Sequence, residues 1–256
     1  DDVDAEQAAV GRLSSMSLMA AVSASGLLAD AMTATFVREV ERVGHDPIYW
    51  VRKEASYALG ALAKVVPNEV VLISLLPLFE RLAADPVWHV RHSALFALPA
   101  ILSRLEPKDR RALALRIVES LSQDASASVR TRLLETLGEV IYTFHDDPGG
   151  PPDEFLHLFV GPSKAQPADS NAARERTRTR RASREWTDPP LPTPSPTPPN
   201  DEGPRPLICA FNLPAVALTL GPHRWSDLRP LYAHLSGARD CKVRRTLAAS
   251  VGALAR

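Results

Sequence analysis

His89 and His92 lie three residues apart, a spacing that would put both on one face of a helix as a metal pair. A metal site needs three or four ligands, and no third accompanies these two at helical spacing, so no metal is expected. Three Asp/Arg pairs, Asp46/Arg52, Asp85/Arg91 and Asp124/Arg130, could pass for acid/base sets. They recur at one spacing, which points to structure: each Asp caps a helix, and each Arg pairs with a carboxylate of a neighbouring unit. Asp240 and Arg244 repeat the pattern near the C-terminal end. Cys209 falls among apolar residues and reads as core. Cys241 stands near a helix start, where thiolates are favoured, but the same place suits a passive, partly buried thiol. No G-x-S-x-G, P-loop, G-x-G-x-x-G or C-x-x-C is present. These residues predict a protein without catalytic activity and without a cofactor.

The elements that carry them repeat. DPIYWVRKEASYALGAL from Asp46, DPVWHVRHSALFALPAI from Asp85 and DASASVRTRLLETLGEV from Asp124 align without gaps at a period of 39 residues. Counting from Val51, Val90 and Val129, apolar residues recur four, eight, eleven and fifteen positions on, as in Ala55, Leu59, Leu62 and Val66. Those offsets form one stripe on a helix. CKVRRTLAASVGALA is a further copy, starting its columns at Val243. CAFNLPAVALTL is another, if its Leu213-Pro214-Ala215 matches Leu98-Pro99-Ala100; Arg205 then takes the place of the valine. The first helix of each pair reads as FVREVERV, VVLISLLPLFERLA, ALALRIVESL and WSDLRPLYAHL. The Asp-Pro between helices is expected to end one and start the next, with Pro at a helix start. Nine positions after the valine stand Gly60, Gly138 and Gly252, where backbones can approach closely, and Pro99 and Pro214, where a kink is predicted.

Between Val129 and Arg205 lie 76 residues, one repeat plus about 37 more. Eleven of the 23 prolines fall between Pro162 and Pro206, beside RERTRTRR and DPPLPTPSPTPP. Such a stretch cannot bury enough apolar area to offset the entropy of ordering, so it is expected to be disordered. The predicted organisation is therefore HEAT-like repeats over 1–161, a disordered Pro/Arg-rich insertion over 162–204, and repeats of the same solenoid over 205–256. The insertion would interrupt one repeat, between a helix at DEFLHLFV and a second starting near Arg205. Residues 1–24 would supply the second helix of a preceding repeat.

Thirty Lys+Arg balance thirty Asp+Glu, which argues against holding nucleic acid or an acidic membrane by bulk charge. No apolar run reaches the roughly 18 residues of a membrane span. Two cysteines make no disulfide framework, which favours a reducing compartment, cytoplasmic or nuclear. The chain has no initiator Met and stops inside an apolar-periodic segment, and is read as an internal piece of a longer protein.

A period near 39, paired helices and D-P-x-x-x-V-R at the turn between them are the pattern of HEAT repeats. The fold class is thus an all-α solenoid of about five helix-pair repeats, each in contact only with its neighbours. ICAFNLPAVALTLGPHRW (208–225), followed by CKVRRTLAASVGALA (241–255), further resembles the family of the HEAT-repeat regulatory subunit 1 of the type 4 serine/threonine protein phosphatase. DPVWHVRHSALFALPAI is also similar. The specific match covers about fifty residues, mostly the last fifty. It implies a non-catalytic subunit that binds a serine/threonine phosphatase catalytic subunit and steers it to phosphoprotein substrates. That family carries a long acidic insert before the Cys-Ala run, whereas the insert here is short and mixed in charge. A different HEAT adaptor, for nuclear transport or chromatin, rests on the same repeats.

Tyr49 and Trp88 share one column at the start of the second helices, and Trp50 and His89 share the next. Large aromatics dominate binding energy at interfaces, so this ridge is a candidate partner surface; the other reading is that they cover the end of the core. In the related type 2A phosphatase scaffold the intra-repeat turns hold partner subunits, and the resemblance implies the same use. Inside the insertion, Arg180-Arg181-Ala182-Ser183 has a basophilic-kinase pattern, and Thr193, Ser195 and Thr197 each precede a proline, so all four hydroxyls are candidate phosphorylation sites.

Overall fold

In the computed structural model, residues 2–25, 30–161 and 203–254 are described. The expected disorder of the insertion therefore concerns residues that, Gly203 and Pro204 apart, lie outside the described ones.

The chain forms α1 (Asp2–Ala24), α2 (Asp30–Gly44), α3 (Tyr49–Ala63) and α4 (Asn68–Val70), with a π turn (Val71–Leu75) leading into α5 (Leu76–Ala83). It continues through α6 (Trp88–Ala94), α7 (Leu98–Leu102), α8 (Pro107–Ser122), α9 (Ala127–Tyr142) and α10 (Asp153–Val160). Beyond the insertion come α11 (Arg205–Leu220), a 3-10 turn (Pro222–Arg224), α12 (Trp225–Ser236) and α13 (Cys241–Leu254). The described residues contain no strand.

Two layers result. The second helices of the repeats stack in one row, α1 on α3, α3 on α6, α6 and α7 on α9, α9 on α11, and α11 on α13. The first helices α2, α4–α5, α8, α10 and α12 form the other row. The described residues hold five helix pairs, with α1 stacked before the first. The fold is an α-solenoid of HEAT-like repeats, and across residues 162–202 Arg205 and Cys209 of α11 reach the carbonyls of Leu158 and Phe159 in α10. Among the described residues, no single helix is long and apolar enough to cross a membrane.

The core runs along the stripe set by the repeat. Val51, Val90 and Val129 are fully buried, as are Leu59, Leu98 and Leu137, and Leu62, Ile101 and Val140. Burying side chains of this size contributes about 1.5–3 kcal/mol each, offset in large part by the entropy of ordering the chain. Gly60 shows the close approach: a Cβ there would stand 3.1 Å from the Cα of Ala97 on the neighbouring second helix. Gly161 ends α10 with φ of 81°, a left-handed conformation that L side chains rarely adopt.

Two expectations are corrected. The Asp-Pro pairs of the first two repeats sit outside the second helices, not at their first turn: α3 begins at Tyr49 and α6 at Trp88. The aspartates accept from the backbone N–H two residues on, Asp46 from Ile48 at 2.9 Å, Asp85 from Val87 at 2.9 Å and Asp124 from Ser126 at 2.8 Å. They fix the turn, and the helix starts after it. Asp240 alone stands directly before its helix and caps it, accepting from Lys242 at 2.8 Å.

The prolines of the ninth column also differ from each other. The helix ends at Ala94 and restarts at Leu98, one turn ahead of Pro99, whose ring crowds the carbonyl of Leu95 and offers it no N–H. Pro214 lies within an unbroken α11. Pro77 has a comparable effect, since the π turn falls over Ile73, the carbonyl its ring would meet in a regular helix.

Candidate functional site

The turns between paired helices lie along one edge of the solenoid, joined by a ladder of ion pairs. Arg12 of α1 meets Asp46 at 2.7 Å. Arg52 holds Asp85 one repeat on, Nε to Oδ2 at 2.8 Å and Nη2 to Oδ1 at 3.0 Å. Arg91 holds Asp124 the same way, at 2.7 and 2.9 Å. The third nitrogen of each arginine turns back to its own repeat, Arg52 to the carbonyls of Asp46 and Pro47 and Arg91 to those of Asp85 and Pro86. Each rung therefore ties a turn to itself and to the next one. The guanidinium bonds hold the Asp124 carboxyl below the usual carboxylate range, against the opposing effect of burial.

Arg130 and Arg244 keep only the inward half of this arrangement. Arg130 donates to the carbonyls of Asp124 and Ala125, and Arg244 to those of Ala238 and Arg239. Neither meets a carboxylate among the described residues. For Arg130 the position 33 residues on, where Arg52 and Arg91 find their aspartates, is residue 163, outside the described residues.

Against this edge the structure places the aromatic residues of the second-helix starts. Tyr49 is 40% exposed and Trp88 38%, so each ring is neither buried in the core nor free of it. They are linked through His89, whose ring lies 3.6 Å from Trp88 in a stacked arrangement and 5.4 Å from Tyr49. Trp50 does not join them; it is half-buried and packs on the core.

The strip extends further than the turn. His92 meets the edges of Trp88 and of Phe96, each at 6.3 Å. Phe96, 41% exposed, lies 4.9 Å from Tyr57 of α3 and carries the guanidinium of Arg132 from α9 at 3.3 Å over its ring. Trp88, His92 and Phe96 follow each other at i, i+4 and i+8 on the solvent face of the broken second helix. Burial holds the His92 imidazole below its ordinary value, with Arg132 adding to the effect, so the ring is neutral at neutral pH. The assembled surface is flat, aromatic and rimmed by cations, a chemistry suited to protein contact. Sequence reasoning missed Phe96, Tyr57 and Arg132 and weighed His92 only as a ligand. The available signal was the column six positions after the valine, which holds Tyr57, Phe96 and Phe211.

The remaining chemistry-bearing residues stay apart. Among the described residues no group of three or more His, Cys, Asp or Glu could hold a metal ion. Cys209 is buried with its thiol toward the carbonyl of Phe159 at 3.4 Å, and burial pushes its pKa up to about 11. Cys241 is exposed at the start of α13. Ser183, Thr193, Ser195 and Thr197 lie outside the described residues.

Comparisons with known proteins agree with the repeat. The HEAT repeat family model matches residues 75–105. The serine/threonine-protein phosphatase 4 regulatory subunit 1 of Homo sapiens and that of Mus musculus are each 53% identical over 47 residues, which is 18% of this chain and 5% of those proteins. The chain thus spans a small part of the length of the curated relatives it matches. Among solved structures, an engineered protein covers 95% of this chain, and the chain 90% of it, at 12% identity and a TM-score of 0.43. A designed armadillo repeat protein in complex with a peptide covers 96%, and the chain 98% of it, at 14% identity and a TM-score of 0.45.

Proposed function

We propose that this chain is part of a non-catalytic regulatory subunit that binds a serine/threonine protein phosphatase catalytic subunit and presents it to phosphoprotein substrates. The observation that carries this reading is the 53% identity over 47 residues with a phosphatase regulatory subunit. The fold supports it, since a row of stacked helix pairs offers a long edge. Tyr49, Trp88 and His89 are the proposed contact on that edge, because open aromatic surface beside charged groups supplies most of the energy in such interfaces.

The test is reconstitution with purified type 4 phosphatase catalytic subunit, alongside type 1 as a control. Retention of the type 4 subunit by the wild-type chain is expected, with affinity reduced about tenfold or more in the Tyr49→Ala/Trp88→Ala double variant. A chain that retains neither catalytic subunit, but does retain transport or chromatin proteins, would return the molecule to the wider class of HEAT adaptors.

A further inference from the structure

The last repeat carries a local excess of positive charge. Between Trp225 and Leu254, the two helices of that repeat, stand Arg229, Arg239, Lys242, Arg244 and Arg245, against Asp227 and Asp240. The whole sequence is balanced at thirty and thirty. Elsewhere Arg12, Arg52, Arg91, Arg110 and Arg224 each find a carboxylate. Among the described residues, none of the five in the last repeat has a carboxylate partner. Lys242, Arg244 and Arg245 moreover open α13, whose first turn has no acidic residue. That end of a helix carries partial positive charge, so three cations there oppose the stability of the helix that bears them.

Beside these cations lies apolar surface of the same kind. A groove of about 430 Å3 runs between α11 and α13, lined by Ala210, Phe211, Arg245, Thr246, Ala249 and Ser250. Phe211 is 76% exposed, the most open large aromatic of the described chain, and Arg245 is exposed at the same groove. A fold that keeps a phenylalanine in water next to an exposed guanidinium with no carboxylate partner is locally inconsistent on its own, which is the mark of a surface completed by something else.

We propose that the groove between α11 and α13 is a docking site for an extended acidic peptide segment of a partner protein. One large apolar side chain of that segment lies on Phe211 over the Ala210/Ala249 floor, and a flanking Asp or Glu carboxylate pairs with Arg245. Charge complementarity selects the occupant: the groove supplies cations only, and a bidentate guanidinium matches a carboxylate. This site is distinct from the Tyr49–Trp88 edge, so the chain carries two separate contact surfaces.

The experiment is fluorescence anisotropy on the purified chain with a labelled peptide in which Asp and Glu flank a central Leu-Phe. The controls are the same peptide with Lys in place of the acids, and an oligothymidine of equal charge. The acidic peptide is expected to bind, more weakly as salt rises. Arg245→Glu should weaken it by about tenfold or more, and Phe211→Ser by about fivefold. Both changes are at exposed positions, so the unfolding midpoint should not fall. Trp88→Ala should leave peptide affinity unchanged. Equal affinity in either groove variant overturns the proposal. So does an oligothymidine that binds as tightly while Phe211→Ser makes no difference, because the patch would then be a general polyanion surface.

Discussion

Arg52 of α3 and Asp85 of the following repeat meet through two parallel hydrogen bonds, with the guanidinium side chain 10% exposed and the carboxylate 5%. The same aspartate oxygen that receives Arg52 Nη2 also accepts from the N–H of Val87. One carboxylate therefore closes its own turn and ties the preceding repeat to it. Asp85→Ala leaves a buried guanidinium unpaired and opens the turn, and should cost about 3–5 kcal/mol. The exposed Arg116–Glu80 pair is the contrast: its side chains are 60% and 37% exposed, and Glu80→Ala should cost under about 1 kcal/mol. Urea unfolding followed by circular dichroism, with a double-mutant cycle on Arg52 and Asp85, checks both. Equal costs at the two sites would remove the ladder from the account of stability.

Two groups contribute to the acid side of the stability profile in separate windows. Asp124 is held below the usual carboxylate range chiefly by Arg91, so its folded pKa is lower than its unfolded one. Its contribution is fully present above about pH 4 and is lost as pH falls through the folded value. His92 is held below its ordinary value by burial. The unfolded state therefore takes up the proton first, near pH 6.5, and stability drops as pH falls below that point. Wild-type unfolding free energy should thus decline in two windows on acidification. His92→Gln should flatten the upper window and Arg91→Gln the lower one. A single window insensitive to either change would refute the assignment.

The helix stripe was legible because a 39-residue period forces equivalent residues into equivalent places, and Val51, Val90 and Val129 are all buried. The Arg-to-next-Asp spacing is equally regular. What escaped depends on geometry that spacing does not encode. Arg12 supplies a rung from within α1, without the Val-Arg pair that marks the other rungs. Arg110 ties the ends of α7 and α9 through the carbonyls of Leu102, Leu105 and Thr143 and the carboxylate of Asp147, and no other repeat copies it. Pro99 and Pro214 share a column, yet only one breaks its helix. The strip from Tyr49 to Arg132 arises where three second helices lie side by side, so no one segment contains it.

Two glycines of one column should respond in opposite directions to alanine. At Gly60 the new Cβ would meet the backbone of Ala97 at 3.1 Å, and a backbone cannot step aside as a side chain can. Gly60→Ala should destabilise by about 1–3 kcal/mol, as overpacking does. At Gly252 nothing lies within 4 Å, and the residue is inside α13. Gly252→Ala should gain up to about 1 kcal/mol of helix propensity. Thermal unfolding of the two single variants measures the split, and a loss at both positions would mean that α13 is packed on a further surface.

Leu98 and Phe96 stand two residues apart at the break before Pro99 and face opposite environments. Leu98 is fully buried at the start of α7, in the column it shares with Leu59 and Leu137. Phe96 is 41% exposed and meets Tyr57, His92 and Arg132. Leu98→Ala should cost about 2–5 kcal/mol, the range for buried leucines whose cavity cannot collapse. Phe96→Ala should cost about 0.5–1.5 kcal/mol, because it loses ring contacts and leaves no cavity. In a solenoid the first loss acts on its own repeat and the neighbours. Hydrogen exchange should therefore rise across α3, α6–α7 and α9 in Leu98→Ala while α12 and α13 keep their protection. If Phe96→Ala proves the costlier of the two, the helix on either side of the break is rotated from the register described.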